Sequence, residues 1–263
     1  MSNFAMPVEL YMTSPVRTMG CDATLEAARD AMGTQISSVA VVDEGRLAGV
    51  VTRTDLLREG TMETGRRPRD RLLELPSRPV SEVMTSPVAT VSPTTSVREA
   101  GARMAKERIH RLFVVSDEGA LVGVLSTKDV MRCVGEQNVR QPITTFMSTP
   151  VFTVRAEEPI ALATERLDKA RVSGLVVVEN GWPVGVFTQR ESLVSAALDR
   201  ATAVEEVMSP ALLCMHVDTP THRAAAQAAA TTVRRVIAIE DREMRGILTG
   251  LDFARVVAGG AAK

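Results

Sequence analysis

Short runs of β-branched residues alternate along the chain with longer stretches in which apolar residues recur every three or four positions. The short runs predict buried strands, and the three-to-four spacing predicts amphipathic helices. The elements follow one another as strand, helix, two strands joined by a tight turn, and a second helix. This order occurs four times. The pattern therefore predicts an α/β fold made of four β-α-β-β-α repeats.

Two short motifs recur in every repeat. The first is Met-Thr-Ser-Pro-Val, at residues 12–16 and 84–88, with looser copies at 147–151 and 208–210. The second is a glycine followed by two apolar residues and Ser or Thr, and it begins at Gly49, Gly123, Gly185 and Gly246. Successive methionines lie 72, 63 and 61 residues apart, and successive glycines lie 74, 62 and 61 residues apart. Because the two motifs recur with nearly the same spacing, they identify four internal repeats.

Between the motifs, each repeat yields the same local predictions. The first helix of each repeat is predicted to begin near Thr24, Ser96, Pro159 and Pro220. The β-branched run forms the central strand, at 39–42, 112–115, 175–178 and 236–239. A turn follows that contains Gly, Asn or Asp, residues that tolerate positive φ. Repeats this small cannot bury both faces of a sheet, so we expect them to pack on one another. The Ala-rich stretch 224–230 is expected to be a tightly packed helix face or a helix–helix contact.

The spacing also predicts where the repeats begin and end. Repeat 1 covers residues 1–60, repeat 2 covers 79–136, repeat 3 covers 137–199 and repeat 4 covers 200–263, with a linker at 61–78. The linker is rich in arginine, with acidic residues interleaved: Arg66, Arg67, Arg69, Arg71 and Arg78 beside Glu63, Asp70 and Glu74. A solvated linker or a short helix explains this composition, and a surface that faces a partner or a phosphate is the alternative.

Composition narrows the range of functions. The chain has 263 residues, 45% hydrophobic and 3% aromatic, and a formal net charge of −1. A neutral chain with few aromatic residues disfavours nucleic-acid binding by phosphate neutralisation or base stacking. Cys21, Cys133 and Cys214 are widely spaced, so we expect buried free thiols and no disulfide framework. No targeting leader is recognised and no apolar run approaches the length of a membrane span, so a cytoplasmic protein without membrane contact is expected.

These motifs resemble the CBS-domain family, named after cystathionine β-synthase. The resemblance covers all four repeats and is closest in repeat 2, where Ile109–Val115 is followed by Gly123-Val-Leu-Ser-Thr-Lys-Asp129. It implies a stand-alone CBS protein whose repeats form two tandem pairs, or Bateman modules, repeat 1 with repeat 2 and repeat 3 with repeat 4. The His110-Arg111 dipeptide resembles the one that the gamma subunit of AMP-activated kinase uses against the phosphates of adenine nucleotides.

The Ser/Thr-x-x-Asp/Glu sequence after each glycine has two interpretations. It is a capping box, in which a hydroxyl and a carboxylate close the first turn of a helix. A helix N-terminus also suits a phosphate or a ribose, and the family uses these Ser/Thr and Asp residues as nucleotide contacts. The residues are Thr52 with Asp55, Ser126 with Asp129, Thr188 with Glu191, and Thr249 with Asp252. Because the longer Glu191 would crowd a ribose, repeat 3 is expected to keep the cap and to lose or weaken the ribose contact.

Three further groups of residues complete the predicted site. The pair before each central strand is Ser37-Ser38, His110-Arg111, Ser173-Gly174 and Arg234-Arg235. The cationic pairs of repeats 2 and 4 suit phosphate oxygens, so these repeats are predicted to anchor phosphate in their modules, with Lys128 as an additional cation. Exposed cations at strand starts are the alternative. Thr18, Thr90 and Thr153, in the first strands, are secondary candidates that β-propensity explains equally well.

The sequence predicts a regulatory protein and not an enzyme, because no catalytic motif is found. We expect it to bind AMP, ADP, ATP or S-adenosylmethionine in clefts between paired repeats, with no cofactor required. Ligand would stabilise one orientation of the repeats. A second copy of the chain in a homodimer, or a separate regulated protein, would respond to that orientation. The alternative is a structural or oligomerisation module whose sites are degenerate and empty.

Overall fold

The structure, a computed structural model, describes residues 4–33, 36–62, 73–196 and 198–260. Each repeat forms a three-stranded sheet with two helices, which confirms the predicted α/β fold of four β-α-β-β-α repeats. The strands of repeats 1 and 2 are β1 Thr18–Gly20, β2 Ser38–Asp43, β3 Arg46–Thr52, β6 Thr90–Val91, β7 Arg111–Val115 and β8 Leu121–Ser126. Those of repeats 3 and 4 are β9 Thr153–Arg155, β10 Gly174–Glu179, β11 Trp182–Thr188, β12 Leu213–His216, β13 Arg235–Glu240 and β14 Glu243–Thr249.

The central strand of every sheet is the predicted β-branched run. It pairs in parallel with the first strand of its repeat and antiparallel with the third. Residues in the predicted turns have positive φ in all four hairpins, including Asn180 at 48° and Asp241 at 49°. Asn and Asp adopt this conformation at lower cost than other non-glycine residues, so they serve as well as glycine here.

The two helices of each repeat flank the hairpin. They are α1 Leu25–Met32, α2 Arg53–Glu59, α3 Val97–Glu107, α4 Thr127–Glu136, α5 Ile160–Ala170, α6 Gln189–Val194, α7 Thr221–Thr231 and α8 Gly250–Ala258. Thr24, Ser96, Pro159 and Pro220 are the N-cap residues of α1, α3, α5 and α7, which confirms the predicted helix starts. Thr24 and Ser96 cap with their side chains, whereas the two prolines have no side-chain acceptor to offer.

The stretch that carries Met-Thr-Ser-Pro-Val or its variants packs away from the repeat that it precedes. We call this stretch, at residues 7–16, 79–88, 142–151 and 203–210, the Met-Pro segment. The segment before repeat 1 pairs with β8 of repeat 2 through Thr13 and Val124, and the segment before repeat 2 pairs with β3 of repeat 1 through Thr85 and Val50. Repeats 3 and 4 exchange their segments in the same reciprocal way. The exchange links the repeats as two tandem pairs.

The described chain divides into two compact units, and the first contains repeats 2 and 4. It comprises residues 4–16, 89–151 and 211–260. One continuous apolar core runs through both repeats, from Leu112 and Leu125 to Leu248 and Phe253. Helices α3 and α4 of repeat 2 pack against α7 and α8 of repeat 4. The Ala-rich stretch lies in this contact as expected, since Gly135 of α4 faces Ala226 of α7.

The second unit contains repeats 1 and 3, at residues 17–88 and 152–210. Here each repeat has a separate apolar core. The core of repeat 1 includes Leu25 and Val51, and the core of repeat 3 includes Leu175 and Phe187. The two repeats meet through α2 and α6. Repeats of the same sequence pattern therefore share one apolar core in the first unit and keep separate cores in the second.

Two expectations drawn from composition concern the arginine-rich linker and the burial of the cysteines. Most of the arginine-rich linker, including Arg66, Arg67, Arg69 and Arg71, lies outside the described residues. At its ends β4 Thr61–Met62 pairs with β5 Leu73–Glu74. The expectation that all three cysteines are buried was wrong: Cys133 is buried, Cys21 is partly buried and Cys214 is exposed. Cys214 lies on the outward face of β12, where exposure alternates along the strand.

Close crossing of α3 and α8 depends on Gly101. A Cβ atom at this position would overlap Val257 and would lie 2.8 Å from the carbonyl oxygen of Ala254. We expect Gly101→Ala to lower the free energy of unfolding by about 1–3 kcal/mol, because overpacking against a helix backbone outweighs the helix propensity gained with alanine. Gly260→Ala is the control, since its nearest neighbour would be the carbonyl oxygen of Arg255 at 3.7 Å. Urea denaturation of both variants measures the difference, and an unchanged Gly101→Ala protein would contradict this packing.

Candidate functional site

Hairpin register brings the two groups of predicted site residues together within each repeat. Arg111, at the start of β7, lies directly opposite Ser126, the N-cap residue of α4. Arg235 lies opposite Thr249, the N-cap residue of α8, in the same way. The backbone N–H of Thr127 also donates to the carbonyl oxygen of His110, at 3.0 Å. The basic pair and the start of the second helix therefore form one site in each even repeat.

All four exit motifs form capping boxes, as the first interpretation predicted. In repeat 2, Oδ2 of Asp129 accepts from the backbone N–H of Ser126 at 2.8 Å and from its hydroxyl at 2.6 Å. The same two bonds join Thr52 to Asp55 and Thr249 to Asp252. In repeat 3, Oε2 of Glu191 accepts from the backbone N–H of Thr188 at 3.1 Å, so glutamate keeps the cap. Capping uses one oxygen of each carboxylate. Whether a ligand hydroxyl can bind the carboxylate therefore depends on the partners of the other oxygen.

The starts of α4 and α8 meet inside the first unit. A Cβ atom on Gly250, the first residue of α8, would lie 2.6 Å from the Oγ1 of Thr127, the first residue of α4. The absence of a side chain at Gly250 lets the two helix ends approach this closely. Each helix end carries a partial positive charge and backbone N–H groups without intrahelical acceptors. Two such ends side by side favour an anion.

Four basic residues gather in the same unit. Burial lowers the pKa of His110, and the charges of Arg234, Arg111 and Arg235 lower it further. Burial, followed by the charge of Arg234, lowers the pKa of Arg111 to about 10. The sequence predicted that each basic pair would serve its own module, whereas the structure brings the pairs of repeats 2 and 4 within electrostatic reach of one another.

The basic cluster, which we define as His110, Arg111, Arg234 and Arg235, is accessible to solvent. His110 and Arg234 are exposed, and Arg111 and Arg235 are partly buried. His110 is exposed as a residue, and the protein atoms around it still lower its pKa. In the part of the chain that the structure describes, neither His110 nor Arg234 forms a salt bridge with a carboxylate. The charge of Arg234 is thus available to an anion from solution, and His110 can take up a proton when an anion binds beside it.

The second oxygen of the capping carboxylate differs among repeats. In repeats 1 and 2 its nearest cation stands at ion-pair distance but beyond hydrogen-bond distance: Arg58 Nη1 is 3.9 Å from Asp55 Oδ1, and Arg132 Nη2 is 3.8 Å from Asp129 Oδ1. In repeat 3, Oε1 of Glu191 accepts from Arg190 at 3.1 Å. In repeat 4, Oδ1 of Asp252 accepts from Arg255 and from the hydroxyl of Ser148. Repeats 1 and 2 therefore keep an oxygen that a ligand hydroxyl could use.

Sequence reasoning missed the arginine three residues after each aspartate. Asp-x-x-Arg occurs in repeats 1, 2 and 4, as Arg58, Arg132 and Arg255, and is absent from repeat 3. Three-residue spacing on a helix places the two side chains on one face, so the pattern could have indicated a partner for the carboxylate.

The first strand of repeat 4 carries Cys214 where the first strands of the other repeats carry a threonine. In the parallel pairing, Thr18, Thr90 and Thr153 occupy the same register position in their repeats, and Cys214 occupies it in repeat 4. Each of the four lies six residues after its methionine, which was the available signal. Repeat 4 therefore departs from the other repeats at this position.

The predicted site residues are divided between the two units. The first unit holds Thr90, His110, Arg111, Ser126, Lys128, Asp129, Arg234, Arg235, Thr249 and Asp252, and the second holds Thr18, Thr52, Asp55, Thr153 and Thr188. Lys128 is exposed on the first turn of α4. In the second unit, the guanidinium of Arg53 donates to the carbonyl oxygens of Gly33 and Ile36, at 2.7 and 2.8 Å. The basic residues predicted to bind phosphate thus lie in the first unit.

Comparison with known proteins identifies the family. The family model of the CBS domain matches residues 8–61, 80–136 and 143–191. The chain belongs to the CBS-domain family, and the resemblance drawn from the repeats is confirmed. Repeat 4 lies outside the matched residues but has the same strand order and the same capping box as the others.

Solved structures of the same fold span nearly the whole chain. A Methanocaldococcus jannaschii protein described as a candidate archaeal homologue of γ-AMPK is 16% identical, with a TM-score of 0.75, over 95% of this chain and 99% of its own. A conserved protein from Pyrococcus horikoshii is 20% identical, with a TM-score of 0.69, over 96% of this chain and 100% of its own. At these identities the likeness establishes the fold.

Curated relatives are matched over part of their length. An uncharacterised 33.4 kDa protein from the ribosomal RNA operon of Thermofilum pendens is 31% identical over 65% of this chain and 57% of its own. The L-aspartate semialdehyde sulfurtransferase of Methanosarcina acetivorans is 33% identical, and the match covers 41% of this chain and 22% of that enzyme. None of the helices in the described part of the chain has the length and apolar character needed to cross a bilayer.

The two carboxylates of the first unit should differ in their contribution to stability. We expect Asp129→Ala to lower the free energy of unfolding by about 1 kcal/mol, the usual value of a lost helix cap. Asp252→Ala should cost about 2–4 kcal/mol, because it also removes the carboxylate that accepts from Ser148 and pairs with the partly buried Arg255. Urea denaturation of the two variants provides the comparison. Equal losses would mean that the additional contacts of Asp252 contribute nothing to stability.

Proposed function

We propose that this protein is a ligand-sensing regulatory protein whose first unit binds a phosphorylated adenosine ligand. The observation that carries the proposal is the convergence of the basic cluster with the adjoining starts of α4 and α8. Guanidinium groups offer paired donors for phosphate oxygens, and helix N-termini offer backbone N–H groups. Both kinds of donor lie in one unit, on the two repeats that share a single core.

Charge discriminates among the ligands that the sequence left open. ATP, ADP and AMP bring two or more negative charges at neutral pH, whereas S-adenosylmethionine brings a positive sulfonium. The three arginines of the basic cluster attract the first group and repel the sulfonium. A hydrogen bond to a charged group contributes about 1.5–3 kcal/mol, so each phosphate that reaches the cluster adds measurably to affinity. We therefore expect the order ATP, ADP, AMP, with S-adenosylmethionine the weakest.

The ribose contact is proposed for Asp129. Its Oδ1 is separated from Arg132 by 3.8 Å and can accept hydrogen bonds from ribose hydroxyls, while Oδ2 keeps the cap. Ser126 and Lys128 flank this carboxylate on α4, and Thr90 of β6 is a secondary contact. Thr52, Asp55, Thr18, Thr153 and Thr188 remain predicted ligand contacts of the second unit.

Regulation follows from a ligand that touches both even repeats. Phosphate held by Arg111 of repeat 2 and by Arg234 or Arg235 of repeat 4 would stabilise one packing of the two repeats over others. A second copy of the chain in a homodimer, or a separate cytoplasmic partner protein, would respond to that packing. The relatives with enzyme names are matched over a small part of their length, and the proposed role is binding without catalysis.

Removal of one guanidinium tests the proposed phosphate contact. We expect Arg111→Ala and Arg234→Ala each to weaken ATP binding about ten- to a hundredfold, the loss of one charge-assisted contact. Arg245→Ala is the matched control, because Arg245 lies in the same unit but pairs with Glu240 and Glu243 on its own hairpin. Isothermal titration calorimetry measures affinity, and urea denaturation confirms that each variant is folded.

Binding by the wild-type protein decides between sensor and scaffold. If no adenosine ligand binds the wild-type protein, the alternative of a structural module with empty sites stands instead. If ATP binds but all three arginine variants bind it equally well, the phosphate contact lies elsewhere.

Affinity for ATP should depend on pH through His110. In the ligand-free protein, burial and the three neighbouring arginines lower the pKa of His110, so the ring is neutral near neutral pH. Bound phosphate favours the protonated ring and raises this pKa, so binding takes up a proton. We expect the ratio of wild-type to His110→Asn affinity for ATP to fall as the pH rises, because the proton that His110 takes up on binding becomes harder to supply. Calorimetry in buffers of different ionisation enthalpy measures proton uptake. A pH dependence that is identical in wild type and His110→Asn would exclude His110 as its source.

A further inference from the structure

In repeat 4 the site carboxylate has partners for both oxygens. Oδ2 of Asp252 accepts the two capping bonds, from the backbone N–H and the hydroxyl of Thr249, each at 2.6 Å. Oδ1 accepts from the hydroxyl of Ser148 at 2.7 Å and from the guanidinium of Arg255. Arg255 also donates to the hydroxyl oxygen of Ser148 at 2.7 Å. The three side chains therefore form a closed network.

Repeat 2 has the same backbone arrangement without this network. Beside repeat 2, the residue that corresponds to Ser148 is Thr13: each follows the methionine of a Met-Pro segment, and each bridges to the residue after the hairpin glycine. In the structure, however, the Thr13 hydroxyl makes no hydrogen bond to Asp129, and both residues are among those described. Arg132, the counterpart of Arg255, donates to the backbone carbonyl oxygen of Tyr11 at 2.6 Å. Arg132 is thereby held 3.8 Å from Oδ1 of Asp129, whereas Arg255 donates to Oδ1 of Asp252.

The carboxylate and the arginine are also more deeply buried in repeat 4 than in repeat 2. The side chain of Asp252 is 2% exposed, and that of Asp129 is 11% exposed; Arg255 is 29% exposed, and Arg132 is 50% exposed. The Nε of Arg255 is buried and has no hydrogen-bond partner among the described residues. A ligand hydroxyl at Asp252 would have to displace Ser148 and Arg255, leaving a partly buried guanidinium with less compensation than before. At Asp129 it would displace no hydrogen bond.

We infer that Ser148 and Arg255 form a latch that closes the repeat 4 carboxylate to ligand hydroxyls, so that repeat 2 provides the ribose contact of the first unit. Ser148 and Arg255 already donate to Oδ1 of Asp252, the oxygen whose counterpart in Asp129 has, within the described ranges, no hydrogen-bond donor closer than Arg132 at 3.8 Å. The inference rests on the proposed function for the identity of the ligand, whereas closure of the carboxylate is a property of the protein alone. It makes Ser148 and Arg255 specificity-determining residues, although neither is among the site residues predicted from the sequence.

The test opens the latch with Ser148→Ala/Arg255→Met and uses Thr13→Ala/Arg132→Met as the matched control in repeat 2. Calorimetry with ATP gives the number of sites per chain. We expect the latch variant to bind one more ATP than the wild type, and Asp252→Ala in the latch variant to remove that additional site. The control variant should gain no site. Ser148→Ala alone, a milder change, should open the site partly and serves if the double variant is poorly folded.

A second measurement is independent of nucleotide. Carboxylates are labelled with a water-soluble carbodiimide and glycine ethyl ester, and labelled peptides are quantified by mass spectrometry. We expect Asp252 to be protected in the wild type and labelled roughly tenfold faster in the latch variant, while the labelling of Asp129 stays unchanged. Equal labelling of Asp252 in wild type and latch variant would overturn the latch.

The outcomes separate the latch from the proposed function. If the wild type binds ATP and the latch variant labels at Asp252 but gains no ATP, the latch is not what excludes ligand, and the inference fails while the proposed function stands. If no variant binds ATP, the proposed function fails. In that case faster labelling of Asp252 in the latch variant alone would still support closure by Ser148 and Arg255.

Discussion

The fold depends on a contact between a methionine and a glycine that belong to different repeats. Met12 lies against Gly123, and Met147 lies against Gly246, so closely that a Cβ atom on either glycine would overlap the methionine side chain. Met84 and Met208 make the corresponding contacts with Gly49 and Gly185. The methionine motif and the glycine motif, which recur with nearly the same spacing, thus form the two sides of one contact. A change on either side would disturb the exchange of Met-Pro segments that links each tandem pair.

The same contact determines which residues can reach the site. The residue after each methionine is held beside the strand that leads into the capping box, as the pairings of Thr13 with Val124 and Ser148 with Ile247 demonstrate. A hydroxyl at this position can therefore reach the site carboxylate. In repeat 4 it does so, and in repeat 2 it does not. Small changes in a segment that contributes no predicted ligand contact can consequently decide whether a carboxylate is open.

The two units are built from the same repeat but differ in how the repeats pack and in the charge that they carry. Close approach at Gly101, Gly135 and Gly250 allows repeats 2 and 4 to share one core and brings the starts of α4 and α8 together. Burial lowers the pKa values of His110 and Arg111, and the neighbouring positive charges lower them further because the basic side chains repel one another. An anion relieves the repulsion. Repeats 1 and 3 keep separate cores and carry small neutral residues at the corresponding positions, so the phosphate-binding chemistry is proposed for the first unit.

Local features of the fold could be predicted from sequence because they depend on neighbouring residues. Helix starts, turn residues and all four capping boxes follow from patterns within a few positions. Contacts between distant repeats could not be predicted, since the four repeats share one hydrophobic pattern that does not say which helices meet. Nothing in that pattern pairs repeat 2 with repeat 4. The bond between Ser148 and Asp252 joins residues 104 positions apart, and the sequence gives no sign of it.

A crystal structure of the protein grown with ATP tests the central claim most directly. The account predicts that the phosphates lie within hydrogen-bond distance of Arg111 and of Arg234 or Arg235, at the adjoining starts of α4 and α8. Phosphates bound away from these residues would contradict it. So would a first unit that stays empty at saturating nucleotide, because the positive charge gathered there would then serve no ligand.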